Sequence, residues 1–180
     1  ATVDSFKAYC NRAGVSKDEQ ERVFNTPLKV DIARLTRHTE EFYTVLSSLG
    51  ICSKAPIGLL YSMDDCADLV AASLGVECDA VSLKRDAERV WNLYRLLNAR
   101  EGFSRKDDTY PPLWLAPMNS DGGPRPLMDY FETRTLTAGD LETMLDDYYD
   151  ERGWDRETGQ PSFGKLSELG LLEMMPASGR

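Results

Sequence analysis

The sequence predicts an all-α fold: a single irregular helical domain of about six helices with a long proline-rich loop. Three observations carry this reading. Apolar residues recur at steps of three and four in two long segments, which gathers them on one face of a helix. Hydroxyl residues open the segments and glycines close them. No segment reads as a convincing strand.

The elements follow in order. Thr2 to Ala13 forms a short helix ended by Gly14. Ser16-Lys17-Asp18-Glu19 has capping-box spacing, in which a hydroxyl and a later carboxylate satisfy free amide donors at a helix start. A long helix runs from about Lys29 to Leu49, with Ile32, Leu35, Thr39, Phe42, Leu46 and Leu49 on one face and Gly50 as its stop. Ser62 opens the next, with Met63, Ala67, Val70, Ala71 and Leu74 as its buried stripe and Gly75 as its end. Ser82 opens a second long helix whose apolar face is Ala87, Val90, Trp91, Tyr94 and Leu97, terminated by Gly102. From Phe103 to Pro126, prolines at 111, 112, 117, 124 and 126 with Gly122-Gly123 exclude a regular element. So long an irregular segment is often functional or anchored on a partner. Thr137 caps a helix carrying Leu141, Leu145 and Tyr148, stopped by Gly153, and a last short helix, Phe163 to Leu169, follows Ser162.

At 180 residues the chain is one domain, 1–180, long enough to bury a core. A net charge of −9 leaves no excess of Lys and Arg for phosphates, which argues against nucleic acid and anionic membrane as partners. Apolar stretches such as Ile57 to Tyr61 are too short to cross a bilayer, and Ala1-Thr2-Val3-Asp4 has no secretory character. Cys10, Cys52, Cys66 and Cys78 lack paired spacing, so the thiols fit a reducing cytoplasm better than a disulfide framework.

Two places are candidate sites. The turn Asn98-Ala99-Arg100-Glu101-Gly102-Phe103-Ser104-Arg105-Lys106-Asp107-Asp108 packs an amide, two guanidiniums and three carboxylates around a helix stop. That density points to contact with another domain or a cofactor. The second is Ser47-Ser48-Leu49-Gly50-Ile51-Cys52, where a glycine past a helix end turns the backbone and aims a thiol outward. The turn's amides would be open to an electron-rich ligand, and a thiolate there suits the soft iron of an iron–sulfur cluster. One cysteine cannot hold a cluster that needs four ligands, and the competing reading is a small buried thiol.

Both segments resemble the C-terminal domain of tungsten-pterin aldehyde:ferredoxin oxidoreductases. The first is similar to that family's Asn-x-Arg-Glu-Gly-Phe-x-Arg-x-Asp-Asp run. The second resembles its Asp-x-x-Gly-Leu-Cys loop: Gly50, Ile51 and Cys52 match, and Ser47 stands where the family has Asp. Tyr149-Asp150-Glu151-Arg152-Gly153-Trp154-Asp155, Thr158-Gly159-Gln160-Pro161 and Lys165-Leu166-Ser167-Glu168-Leu169-Gly170-Leu171 resemble its close and terminal helix in the same order, so the best match runs over about 36–172. The resemblance implies a [4Fe-4S] cluster whose fourth ligand is Cys52. It also implies a tungsten (or molybdenum) bis-pterin touched by the loop Ser47, Gly50, Ile51 and Cys52. Ser47, uncharged, would accept a weaker hydrogen bond from the pterin than a carboxylate.

The same resemblance implies oxidation of an aldehyde to a carboxylic acid with electrons passed to ferredoxin or another carrier. The N-terminal pterin- and cluster-binding domains of that enzyme become the expected partners, and this chain alone is expected to be inactive. Two alternatives stay open: the catalytic subunit of a tungsten-type benzoyl-CoA reductase, and a helical protein-binding module in which Cys52 is only a buried thiol. Elsewhere the residues read as structural. Arg100, Glu101 and Arg105 tie the loop to the helix end; Asp107-Asp108 are a solvated or capping pair. Asp146, Asp147, Asp150 and Glu151 form a wet helix face, and His38 packs beside Leu35 and Phe42. Trp91, Trp114 and Trp154 are too far apart in sequence for a cofactor box.

Overall fold

The structure is a computed structural model that describes residues 2–52, 54, 60–116, 118–120 and 123–174. Ile57 of the apolar stretch, and Pro117 and Gly122 of the irregular segment, lie outside them. The all-α reading holds. Among the described residues, seven α-helices run in the order α1 (Val3–Arg12), α2 (Lys17–Phe24), α3 (Ile32–Ser48), α4 (Met63–Leu74), α5 (Ala80–Arg100), α6 (Ala138–Arg152) and α7 (Phe163–Glu168). Capping explains most boundaries. Thr2, Ser16, Ser62 and Thr137 each accept from the backbone N–H three residues on, while the residue there reaches back to the cap amide.

Three boundaries differ from expectation. α3 starts at Ile32, capped by Asp31, because Lys29 sits at φ 67° and cannot be helical. α5 starts at Ala80 with Asp79 as its cap; Ser82 is the third helical residue, returning the capping-box bond to the Asp79 amide. The proline-rich segment is not wholly irregular. It holds 3₁₀ turns at Arg105–Asp107 and Pro112–Leu115 and a short antiparallel pair, β1 (Met118–Ser120) and β2 (Gly123–Arg125). Pro112 begins the second 3₁₀ turn, where its missing N–H costs nothing, and Pro124 is the middle residue of β2, opposite Asn119.

Helix α3 is the axis of the molecule, packed mainly on α6 and α5 and less extensively on α2 and α4. Cys10, Val23, Leu35, Phe42, Val45, Leu46, Met63 and Cys66 form the main apolar core. Leu96, Leu166, Leu169 and Leu171 form a smaller one. The expected stripes are only partly buried: Leu49, Leu74, Tyr94 and Leu97 are exposed.

The interior of α3, α5 and α6 is instead polar. Arg37, His38, Glu41, Glu88, Asn92, Arg95, Glu151 and Arg152 are all buried. The acidic run at the end of α6 is therefore not one wet face. Glu151 is fully buried and accepts from Arg22 at 2.8 Å and Arg34 at 3.2 Å, with His38 Nε2 at 3.2 Å. Such a buried carboxylate persists only because every neighbour compensates it.

Candidate cofactor-facing loop and adjoining cleft

The 98–108 turn and the 149–159 segment, far apart in sequence, meet as one clasp. Asp108 accepts both terminal nitrogens of Arg95 and the Tyr149 hydroxyl, and Arg95 Nε donates to the Gly159 carbonyl. Arg105 donates to Asp146 at 2.6 Å and Glu142 at 2.9 Å on α6, with its guanidinium 5.3 Å from the Tyr149 ring centroid. Asp107 caps the amide of Ser104 at 2.9 Å. Arg105 thus ties the loop down as expected, though to α6 and not to the end of α5, while Arg100 and Glu101 are exposed. Asp108 is not a solvated carboxylate; it is the knot of the clasp.

The interior network continues from here. Arg152, fully buried, donates to Glu41 at 3.1 Å and pairs with Glu40 at 2.5 Å, its guanidinium 5.2 Å from the Trp91 ring centroid. Arg37 bridges Glu41 at 2.8 Å and Glu88 at 3.1 Å. Burial, which favours the neutral acid, is outweighed at Glu19 by Lys84 2.7 Å away, so its carboxyl falls to about 2. Burial likewise raises Glu151, but hydrogen bonds from His38 and Arg22 hold it well below the usual carboxylate range. His38 is fully buried, which lowers its pKa; the neutral ring donates Nε2–H to Glu151, and Nδ1 has no partner. Glu19, His38 and Glu151 are the one group of metal-ligating side chains clustered among the described residues. Arg22, Arg34 and Lys84 already occupy its carboxylates. Spacing carried a signal for this network: Arg34, Arg37, His38 and Glu41 recur at helical steps on α3, as do Asp147 and Glu151 on α6.

The loop after α3 places its residues differently from one another. Gly50, at φ 70°, closes the helix: the Gly50 amide donates to Ser47 O at 3.1 Å and the Ile51 amide to Leu46 O at 2.8 Å. This is the crossed bonding of a glycine-ended helix. Those amides are spent, so they are not open to an electron-rich ligand as expected. Ile51 packs against the main core, and Ser47 and Cys52 are exposed. A side chain on Gly50 would meet nothing within 4 Å among the described residues, which leave the backbone there open to approach. Cys10 and Cys66 are the opposite case: both are buried, and burial pushes the Cys10 thiol to about 11. One outward thiol beside an open glycine fits a single-ligand share of a cluster held mainly by other protein, and does not fit a complete one.

Beside the loop lies a cleft. Ser47 and Ser48 line a shallow depression that shares Glu40, Trp91 and Tyr94 with a larger cavity of about 610 Å³. Trp91, Trp114 and Trp154 all line that cavity, so residues too distant in sequence to read as a group are brought together by the fold. Trp154 is nearly buried, its Nε1 donating to Asn92 at 2.9 Å, whereas Trp114 is half-exposed on the 3₁₀ turn.

The family described as aldehyde ferredoxin oxidoreductase, domains 2 & 3, matches residues 5–171. The tungsten-containing aldehyde ferredoxin oxidoreductase of Pyrococcus furiosus is 32% identical over 135 residues, covering 74% of this chain and 20% of that protein. The same-named protein of Thermococcus kodakarensis is 29% identical over 137 residues, covering 76% of this chain and 20% of its own length. This chain therefore spans about one fifth of those relatives. A chain in the active site complex BamBC of benzoyl coenzyme A reductase shares the fold, with a TM-score of 0.62 at 21% identity over 96% of this chain and 26% of that one. The clasped turn, the glycine-ended loop and the sequence match across nearly the whole chain together place this protein in the aldehyde ferredoxin oxidoreductase family, in the part described as domains 2 & 3.

Proposed function

We propose that this chain is the cluster- and pterin-contacting domain of a tungstopterin, iron–sulfur oxidoreductase that converts aldehydes to carboxylic acids and delivers the electrons to ferredoxin. The observation that carries the reading is the exposed Cys52 thiol just past a helix closed by Gly50, with Ile51 between them packed on the core. In this reading Cys52 is one ligand of a [4Fe-4S] cluster, Ser47 accepts from the pterin edge, and the open backbone at Gly50 lets the cofactor approach. Ile51 packs on the core and acts by fixing the cysteine two residues past the glycine stop. The bound cofactors supply the two-electron redox chemistry; this chain supplies a sulfur at a fixed place and a polar edge. The remaining three cluster ligands belong to the rest of the enzyme, so the isolated domain is inactive.

The test is Cys52→Ala in the assembled enzyme. Loss of the cluster's paramagnetic resonance signal, with the helical content of the protein unchanged, is the expected result. An unaltered signal would leave a helical protein-binding module. Assaying the assembled enzyme with aldehydes against aromatic thioesters then separates aldehyde oxidation from ring reduction, the alternative that Ser47 in place of Asp keeps in view.

A further inference from the structure

We infer that the 610 Å³ cleft between α3, α5, α6 and the 110–114 turn is a binding site for an uncharged planar aromatic group. Its volume falls in the range of small-molecule sites. Its lining is unusually rich in rings: Trp91 and Tyr94 from α5, Tyr110 and Trp114 from the turn, Tyr148 and Tyr149 from α6. The two outer pairs are associated among themselves, Trp91 with Tyr94 at 6.4 Å and Tyr110 with Trp114 at 5.9 Å between centroids. Yet Tyr94 stays 58% and Trp114 50% exposed, so much of both rings is uncovered by the described residues. Rings left so open at the mouth of a cavity offer what a guest ring prefers, offset or edge contacts.

Charge selects the guest. The inner rings already carry cations: Arg95 lies 5.0 Å from the Trp154 centroid and Arg152 5.4 Å from that of Tyr148. Both guanidiniums are matched by carboxylates, Arg95 by Asp108 and Arg152 by Glu40 and Glu41. The cleft therefore has no unpaired charge to reward an ionic ligand, and a cationic one would meet the guanidiniums already placed on the rings. A neutral ring loses nothing there and gains the stacking contacts.

The inference does not depend on the redox reading, because binding is measured on this chain without cofactors. The probe pair is benzyl alcohol and cyclohexylmethanol, equal in heavy atoms and charge and differing in whether the ring is planar and aromatic. The readout is the three indole N–H resonances of Trp91, Trp114 and Trp154. Benzyl alcohol is expected to shift the Trp114 and Trp91 resonances saturably, with a midpoint about three- to tenfold lower than that of cyclohexylmethanol, the margin that aromatic pairing adds to plain burial. Trp114→Ala is expected to abolish that preference and Trp114→Phe to keep it, with the Trp154 resonance in place in both as the sign of an intact fold. Equal midpoints for the two alcohols, no saturable shift, or full preference in Trp114→Ala would overturn the proposal.

Discussion

At the scale of single residues, Gly159 shows how the clasp constrains the chain. It sits at φ 69°, and an added Cβ would collide with Arg95 Nη2 and lie 2.8 Å from the Tyr149 hydroxyl. Gly159→Ala is expected to lower unfolding stability by roughly 1–3 kcal/mol from backbone strain alone, with the broken Arg95 bond adding to it. Gly50→Ala, at a similar φ but with open space around it, is expected to cost only the strain. Urea unfolding of both variants checks this; equal losses would contradict the clasp. Sequence showed that Thr158-Gly159-Gln160-Pro161 belonged to a motif but not why. The reason is a guanidinium 64 positions away, which no local pattern encodes. Cys52 differs: the glycine stop alone left an outward and a buried thiol both open, the family resemblance favoured the outward one, and the thiol is exposed.

At the scale of elements, the pairing of α3 with α6 was the least legible part. A helix burying arginines and glutamates reads from sequence as amphipathic with a wet side. Only the matching of Arg34 and Arg37 to Glu151, and of Glu40 and Glu41 to Arg152, shows the charged side is inside. Its consequence is a pH dependence with a definite sign. The carboxyls of Glu19 and Glu151 are held below their ordinary value of 4.5, so the unfolded chain takes up protons first and stability falls as pH drops from about 4.5 toward 2. His38, lowered from 6.5 by burial, acts the same way from higher pH: the unfolded imidazole charges while the folded one stays neutral. Urea midpoints are therefore expected to decline steadily between pH 7 and pH 3, each fully displaced group contributing up to about 1.4 kcal/mol per pH unit. A midpoint constant down to pH 4 would contradict a neutral buried His38.

At the scale of the whole molecule, the chain divides its labour between a sealed ionic interior and an open side. The capped, glycine-stopped helices were legible because capping and periodicity are local. The 105–125 segment was not, since prolines announce the absence of long elements but not the 3₁₀ turn that brings Trp114 to the cleft. No described helix is long and apolar enough to cross a membrane. Ser47, Cys52, Tyr94 and Trp114 are all exposed, in a chain spanning about one fifth of its relatives. The account rests on the sulfur of Cys52 bonding to iron in the assembled enzyme. Alkylation by iodoacetamide, mapped by peptide mass with buried Cys10 as the internal reference, measures that directly. Cys52 is expected to resist modification while iron is present and to react once iron has been stripped. Modification at one rate with and without iron would contradict the account.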